Sequence, residues 1–308
     1  MCIDSELAAV LPFIPPQDFS DLDECRRLSD QVNEPYDQST HPEVEFSNQY
    51  LTRPDGTQFL VRVAFNPDSV QSAAVVLHFH GGGFCIGHPT FDDAENAQIV
   101  AETGAIVVSP DYRLAPEFPY PAGFNDCVQT YEWITSPQFR WKPASLRLGL
   151  LGHSAGAGIA AAVALWARDH CLQQPTAQFL LEPELDARLE TPSAINCIDT
   201  PIWYRSNAEL SWEYYLGGRP ADQYASVALA HDLTGLPKTY LTVNQIDPLR
   251  DEGMIYASRL MAANVPTEIH CWPAAYHGFM AIRSAKLSHR AMNQLVSVLS
   301  SYLAPRLP

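Results

Sequence analysis

Short apolar runs alternate with stretches of helical periodicity along most of the chain. Runs rich in Val, Ile, Leu and Phe predict seven strands, at Phe59–Phe65, Ala74–His80, Ala105–Ser109, Arg147–Leu151, Gln178–Leu181, Tyr240–Val243 and Thr267–Trp272. Helical spacing predicts helices between them, at Asp93–Glu102, Asn125–Ile134, Gly156–Cys171, Glu252–Ala263 and Ser288–Leu303. Continuously apolar strands are typical of a sheet buried on both faces. The pattern predicts an α/β fold, with a mostly parallel central sheet flanked by helices.

Two stretches interrupt this alternation. Residues 1–42 contain a Pro-broken segment at 11–16 and a polar helix candidate at about Asp21–Gln31. Residues 183–224 are rich in aromatic side chains. We expect both stretches to be additions that form a small helical cap, and residues 1–308 to form a single domain.

Composition excludes several classes of function. The 308 residues include 19 Lys+Arg and 35 Asp+Glu, which gives a formal charge of −16. A chain this acidic, with no basic run, is a poor partner for nucleic acid or an anionic membrane surface. The longest apolar run, Ile159–Ala167, is far shorter than the roughly 20 residues that cross a bilayer. We expect a soluble protein without membrane insertion, either a monomer or a homodimer.

The N-terminus and the cysteines indicate a cytoplasmic location. Acidic residues occupy the place of the basic region of an export signal, and Pro12 interrupts the apolar stretch that follows. The seven cysteines are scattered, with no C-x-x-C pair. Free thiols in a reducing compartment are the expected state.

Gly152-His153-Ser154-Ala155-Gly156 follows a predicted strand and precedes a helix rich in small residues. In a G-x-S-x-G motif the glycines let the strand turn sharply into the helix, so that the serine hydroxyl is exposed at the edge of the sheet. The alternative is an ordinary glycine-rich turn. The position between strand and helix favours a nucleophile.

His80-Gly81-Gly82-Gly83 ends another predicted strand, and such a run is expected roughly 0.001 times by chance in a chain of this composition. Backbone N–H groups of a bare glycine loop can approach a developing oxyanion closely. Phosphate binding is the rival interpretation. The loop lacks the Lys-[Ser/Thr] and G-x-G-x-x-G patterns of phosphate loops.

His78 and His80 are two residues apart, as in some metal sites, but no Asp or His follows at the spacing of a dinuclear hydrolase. A core or hydrogen-bonding histidine is the better interpretation of His78. We therefore expect no metal and no other cofactor.

Asp247-Pro248-Leu249 and His277-Gly278-Phe279 each follow a predicted strand. Open parallel sheets bind ligands beyond the C-terminal ends of their strands. The chain order of Ser154, Asp247 and His277 is that of the α/β-hydrolase catalytic triad.

These motifs together resemble the hormone-sensitive-lipase branch of the α/β-hydrolase carboxylesterases. The resemblance extends from about residue 43 to the C-terminus and includes Asp111–Glu117, whose Arg and acids we expect to pair internally in a structural loop. It implies that Ser154 is the nucleophile, His277 the general base and then acid, and Asp247 the residue that orients His277. It also implies that the backbone N–H groups of Gly82, Gly83 and Ala155 form the oxyanion hole, with His80 shaping the loop.

The sequence departs from the common family pattern beside the motifs. His153 replaces the usual Asp before the nucleophile, Ala157 stands where a third Gly is common, and Asn244-Gln245 stand where Gly-Glu is frequent. We expect none of these changes to touch a triad position.

The resemblance implies a serine esterase whose partner is a small-molecule ester. Aromatic residues of the cap region favour short-to-medium acyl, aryl or cyclic esters, and the candidate substrate-binding residues are Phe84, Trp203, Tyr204, Trp212 and Phe279. One alternative is a lactonase or a metabolite-specific acetyl esterase with the same triad. A non-catalytic receptor of the gibberellin-receptor type is the other, and the presence of His277 argues against it.

Overall fold

Eight strands form one sheet in the computed structural model, which describes residues 2–33, 35–70 and 74–304. The strands are β1 Glu45–Thr52, β2 Gln58–Phe65, β3 Val75–Phe79, β4 Ile106–Pro110, β5 Leu148–His153, β6 Ala177–Leu181, β7 Lys238–Ile246 and β8 Thr267–Tyr276. Their order across the sheet is β1-β2-β4-β3-β5-β6-β7-β8. β2 pairs antiparallel with β1 and β4, and the remaining pairs are parallel. This architecture confirms the predicted fold class.

Helices cover both faces of the sheet. They are α1 Ser5–Val10, α2 Leu22–Val32, α3 Asp93–Thr103, α4 Ala122–Thr135, α5 Ala155–Asp169, α6 Pro192–Asn196, α7 Arg205–Leu216, α8 Arg250–Ala262 and α9 Lys286–Tyr302. Apolar residues of α3 and α9 pack with one face of the strands, and those of α4, α5 and α8 pack with the other. β3 to β7 are therefore buried on both sides, which explains their continuous apolar sequences.

The seven predicted strands correspond to β2 to β8, and β1 was missed. β1 is one of the two edge strands, and its residues are exposed or half-buried. An edge strand with one partner has few positions facing the core, so Glu45–Thr52 lacks the apolar run that marks the others. The polar helix expected at Asp21–Gln31 exists as α2.

The apolar pattern did not predict the short helices α1, α6 and α7. The two additions pack against each other through α7 and the segment around Phe19. Asn207 of α7 accepts a hydrogen bond from the Phe19 N–H at 3.1 Å. The Phe19 ring meets Trp203 edge-on, with centroids 5.1 Å apart. The first addition also includes Met1 and Glu34, which lie outside the described residues.

The expectation that Asp111–Glu117 pairs internally is wrong. Arg113 instead makes a bidentate ion pair with Asp126 of α4: Nε donates to Oδ2 at 2.9 Å and Nη2 to Oδ1 at 3.0 Å. Glu117 pairs with Arg26 of α2, at 2.6 Å. The segment therefore joins α4 and the N-terminal addition to the sheet rather than closing on itself.

Candidate active site

The C-terminal ends of β3, β5, β6, β7 and β8 lie at one edge of the sheet. Each end is followed by a residue with a polar side chain or, after β3, by a glycine loop that can offer backbone N–H groups. Ser154 follows β5, Asp247 follows β7 and His277 follows β8. The His80–Gly83 loop follows β3, and Glu182 follows β6. Parallel pairing of these strands places residues far apart in sequence in one site.

Ser154 occupies a sharp turn between β5 and α5. Its φ of 54° and ψ of −120° lie in a region that non-glycine residues rarely adopt. The Ser154 N–H donates to Leu181 O at 2.9 Å, and the Ser154 carbonyl accepts the Glu184 N–H at 3.1 Å. These bonds to β6 and the chain beyond it hold the strained turn, which presents the hydroxyl above the sheet.

Gly156 is required at this turn because a Cβ there would lie 2.1 Å from Phe79 O. The start of α5 therefore rests directly on the backbone that enters the glycine loop. In that loop, Gly83 has a φ of 53°, and a Cβ would lie 2.6 Å from Trp203. Both contacts leave no room for a side chain.

Ser154, His277 and Asp247 form a continuous hydrogen-bonded chain. The Ser154 Oγ is 2.8 Å from His277 Nε2, and His277 Nδ1 is 2.8 Å from Asp247 Oδ2. Asp247 Oδ1 accepts the Leu249 N–H at 2.8 Å, which fixes the carboxylate. An acceptor at Nδ1 holds the imidazole proton there, so Nε2 is free to accept the serine proton.

The N–H groups of Gly82, Gly83 and Ala155 make no hydrogen bond within the part of the chain that the structure describes. Gly82 and Gly83 line the cavity onto which Ser154 opens, and Ala155 directly follows Ser154 in the chain. Uncommitted amides beside a nucleophile are suited to stabilise an oxyanion. His80 supports the loop: its ring stacks on Tyr112, and burial lowers its pKa to about 3.

A second carboxylate, that of Glu182, lies beside His277. Glu182 accepts the Gly278 N–H at 3.0 and 2.9 Å and lies 3.9 Å from His277 Nδ1. Asn244 donates to both Glu182 and, at 3.4 Å, Asp247. The Asn244 departure, although not at a proposed triad position, therefore contacts the Asp247 carboxylate.

The carboxylates around His277 favour its charged form. Burial alone would lower the pKa of His277, but the charges of Asp247 and Glu182, with the Asp247 hydrogen bond, raise it to about 9. Nearby Glu184 is buried, and burial raises the pKa of its carboxyl to about 8 despite a hydrogen bond from Ser211. His277 can accept a proton only when it is neutral. The charges of Asp247, Glu182 and Glu184 therefore affect the pH range in which His277 can act as a base.

His153, the other departure, makes an ion pair with Glu95 of α3, with Nε2 and Oε1 2.8 Å apart. Burial opposes charge on both groups, but their mutual attraction raises the pKa of His153 to about 9 and lowers that of Glu95 to about 2. The second imidazole therefore points to α3 rather than into the triad.

A cavity of about 780 Å³ opens above Ser154 and His277. Trp203 lines it, with its ring centroid 5.8 Å from that of His277. Phe84, Tyr204, Trp212 and Phe279 are not among its lining residues. Phe84 and Trp212 pack together in the core, Phe279 packs on Trp272, and the Tyr204 hydroxyl donates to Gln17 O.

Sequence reasoning missed Glu182, Glu184, Asn244 and Glu95. Glu182 and Glu184 were detectable in principle, because two acids directly follow a fully apolar strand at the ligand-binding edge. Glu95 gave no such signal, since it lies within an ordinary amphipathic helix.

Comparisons with known proteins agree with this geometry. A family model described as the alpha/beta hydrolase fold matches residues 76–281. Carboxylesterase NlhH of Mycobacterium tuberculosis is 34% identical over 245 residues, which cover 78% of this chain and 76% of that protein. Esterase LipI of the same species is 34% identical over 269 residues, with 83% and 80% covered. The solved structure of a bacterial heroin esterase has a TM-score of 0.93 and 36% identity, with 99% of each chain covered.

Proposed function

The chain belongs to the hormone-sensitive-lipase-like carboxylesterases of the α/β-hydrolase superfamily and is a serine ester hydrolase, and from that premise we propose the residues, the steps and the substrate class of its reaction. Ser154 is the nucleophile, His277 the base and acid, and Asp247 the residue that orients His277. The observation that supports these roles is the Ser154–His277–Asp247 chain, with two contacts of 2.8 Å.

The reaction passes through an acyl-enzyme. Ser154 Oγ attacks the ester carbonyl while its proton moves to His277 Nε2, and the oxyanion binds the amides of Gly82, Gly83 and Ala155. The carbon–oxygen bond to the alcohol then breaks, and the alcohol leaves with the proton from His277. Water attacks the acyl-enzyme, His277 takes its proton, and Ser154 is released with the acid product.

Replacing the nucleophile is the direct test. We expect Ser154→Ala to lower kcat by about 10⁴-fold or more for a p-nitrophenyl ester, because the covalent step is lost while the fold remains. A fluorophosphonate should label wild type and leave Ser154→Ala unlabelled. Ser258→Ala, at an exposed position on α8, is the matched control and should keep both activity and labelling. Full turnover by Ser154→Ala would contradict the assignment.

Short-to-medium acyl, aryl or cyclic esters are the proposed substrates. Trp203 lies beside both His277 and the glycine loop, so a large ring closes the cavity next to the reacting atoms. The two additions supply this wall and act as a cap over the sheet. A chain-length series of p-nitrophenyl esters should show its highest kcat/KM at short-to-medium acyl chains. A maximum at long-chain esters would overturn the proposal.

The natural substrate class is tested with a panel of aryl esters, acetylated small molecules and lactones. The same triad hydrolyses each of these, so the panel separates the carboxylesterase from the lactonase and acetyl-esterase alternatives. Preference for a lactone over the open-chain ester of the same acid would favour the lactonase.

We also propose that the enzyme works in the cytoplasm as a monomer or homodimer. All seven cysteines are free thiols. Among the described residues no helix combines the length and the apolar character that a membrane span requires.

A further inference from the structure

A cluster of ligating side chains lies beside the nucleophile, outside the triad. His78 of β3, Glu95 of α3 and His153 of β5 bring one nitrogen or oxygen atom each to within 4.8 Å of one another. Asp92 adds a carboxylate oxygen 3.9 Å from His78 Nε2. Two imidazoles and two carboxylates from three separate elements therefore converge.

The hydrogen bonding of His78 leaves one of its two ring nitrogens unpartnered beside this cluster. His78 is fully buried, and its Nδ1 is 2.7 Å from Asn96 Oδ1. Asn96 Nδ2 donates to Ser109 Oγ at 3.3 Å, so the amide oxygen faces the imidazole and Nδ1 must be the donor. The other ring nitrogen, Nε2, is buried and within the described chain has no hydrogen-bond partner.

A buried imidazole nitrogen without a hydrogen-bond partner, 3.9 Å from a carboxylate oxygen, leaves room for a cation between the two. The Asn96 bond to Nδ1 is also the arrangement found behind metal-ligating histidines, where a second partner fixes the ring and its tautomer. In the ion pair of His153 and Glu95, one proton lies between Nε2 and Oε1, which are 2.8 Å apart. A cation that binds both releases that proton to solvent and leaves Nε2 of His153 and the Glu95 carboxylate as ligands.

We propose that His78, Glu95 and His153 form a binding site for a divalent transition-metal ion of the zinc class, with Asp92 as the fourth ligand. Two imidazole nitrogens with carboxylate oxygens suit Zn²⁺ or Co²⁺ better than Mg²⁺ or Ca²⁺, which prefer oxygen ligands alone. This departs from the expectation of no metal, because that expectation considered only partners near His78 in sequence. β3 and β5 are neighbouring strands, and α3 packs against their ends, so distant residues meet.

The site opens onto the catalytic cavity. Asp92, Glu95 and His153 line the same cavity as Ser154, while His78 lies behind them in the core. Arg283 also lines the cavity, and its exposed guanidinium is the competing positive charge. The alternative is a cluster that binds no metal because Arg283 and protonated His153 neutralise its carboxylates. The experiment below distinguishes this alternative from the proposed metal site.

The test is titration of the full chain with Co²⁺, followed by calorimetry and visible absorption. We expect one equivalent to bind, with d–d bands of a low-coordinate nitrogen and oxygen site and without thiolate charge-transfer bands. The second condition excludes binding to the exposed Cys2, Cys171 and Cys271. Glu95→Gln and His153→Asn should each weaken binding by about tenfold or more, because each removes a ligand.

His270→Asn is the matched control. His270 and Glu268 form a histidine–glutamate pair of the same 2.8 Å length on β8, and no third ligand in the described chain joins them. This variant should bind Co²⁺ as wild type does. Co²⁺ should also raise the Tm of wild type and of His270→Asn, reversibly with EDTA, and raise the Tm of Glu95→Gln by clearly less at the same Co²⁺ concentration.

Three results would overturn the proposal: wild type that binds no stoichiometric Co²⁺, Glu95→Gln and His153→Asn that both bind as tightly as wild type, or absorption bands of a thiolate site. Gln has nearly the same size and shape as Glu, so Glu95→Gln should fold even if His153→Asn does not. Circular dichroism without metal establishes which variants are folded before titration.

Discussion

Glu182 differs from the other residues around the triad because it contacts the main chain beside the base rather than the reacting atoms. Its carboxylate accepts the Gly278 N–H and lies 3.9 Å from His277 Nδ1. We therefore regard it as a positioning residue that adds negative charge behind the imidazole. Such a charge stabilises imidazolium, the form that His277 takes as the tetrahedral intermediate develops.

We expect Glu182→Gln to move the rising limb of the pH profile of kcat/KM to lower pH. Asp247 and Glu182 outweigh burial and hold the pKa of His277 at about 9, above its ordinary 6.5. Activity needs neutral His277 and rises as pH passes through its pKa, so loss of the Glu182 charge lets the base become neutral earlier. Glu190→Gln, at an exposed position, should leave the profile in place. An unshifted limb in Glu182→Gln would show that Glu182 is only structural.

The proposed triad residues could be singled out in the sequence because each follows a buried strand within a recognisable motif. Glu182 could be noticed in the same way, as an acid directly after a buried strand, but Asn244 and Glu95 could not be predicted with them. Their roles depend on which strands are neighbours and on how α3 packs, and neither is encoded in local sequence pattern. The substrate pocket was the hardest part, since an aromatic residue looks the same in sequence whether it lines a cavity or fills a core.

At the scale of elements, one side chain of α2, that of Arg26, makes several polar contacts with the body of the protein, beside the apolar packing of Cys25 and Leu22. Arg26 donates from Nε to Cys85 O and from Nη2 to Ala115 O, both at 2.9 Å, and it pairs with Glu117. Among the residues that the structure describes, the next residue, Arg27, pairs only with Glu24 of its own helix. α2 lines the cavity through Ser29 and Val32.

Arg26→Ala should loosen the N-terminal addition, and Arg27→Ala should not. We expect Arg26→Ala to lower the free energy of unfolding by about 1–2 kcal/mol, because two partly buried carbonyls lose their donor. KM should rise more than kcat falls, since the triad is untouched. Urea denaturation, limited proteolysis and steady-state kinetics of both variants are the measurements. Equal behaviour of the two variants would contradict the role given to Arg26.

Some helices and strands could not be predicted from the pattern of apolar residues. Apolar runs in the sequence predict the buried strands β3 to β7. They do not predict the edge strand β1 or the short helices α1, α6 and α7. α7 is ordered by contacts across the sequence, such as Asn207 with Phe19, and not by a strong apolar stripe. Tertiary context decides the structure of such segments.

At the scale of the whole molecule, buried ionisable groups near the site link folding to pH. The folded protein holds a proton on Glu184 up to about pH 8 and on His277 up to about pH 9. In the unfolded chain these groups have ordinary pKa values of 4.5 and 6.5. Between about pH 5 and 9 unfolding therefore releases protons, and stability falls as pH rises.

We expect the Tm of wild type to decrease from about pH 6 to pH 9, and Glu184→Gln to reduce that decrease below pH 8. Glutamine cannot ionise, so the folded variant no longer binds the extra proton. Glu213→Gln, at an exposed position on α7, is the control and should follow wild type. Thermal unfolding across the range is the measurement. A Tm that rises with pH in wild type would contradict the sign.

The backbone contact between Gly156 and Phe79 O has a consequence for changing what the enzyme accepts. The nucleophile turn and the strand that enters the glycine loop touch with no side chain between them, so they shift only together. Mutations at those residues of the two additions that do not contact Ser154 or Gly83 can reshape the cavity without altering where Ser154 lies relative to Gly82 and Gly83. Libraries that vary the cap and leave these backbones alone should therefore yield new ester preferences on an unchanged reaction centre.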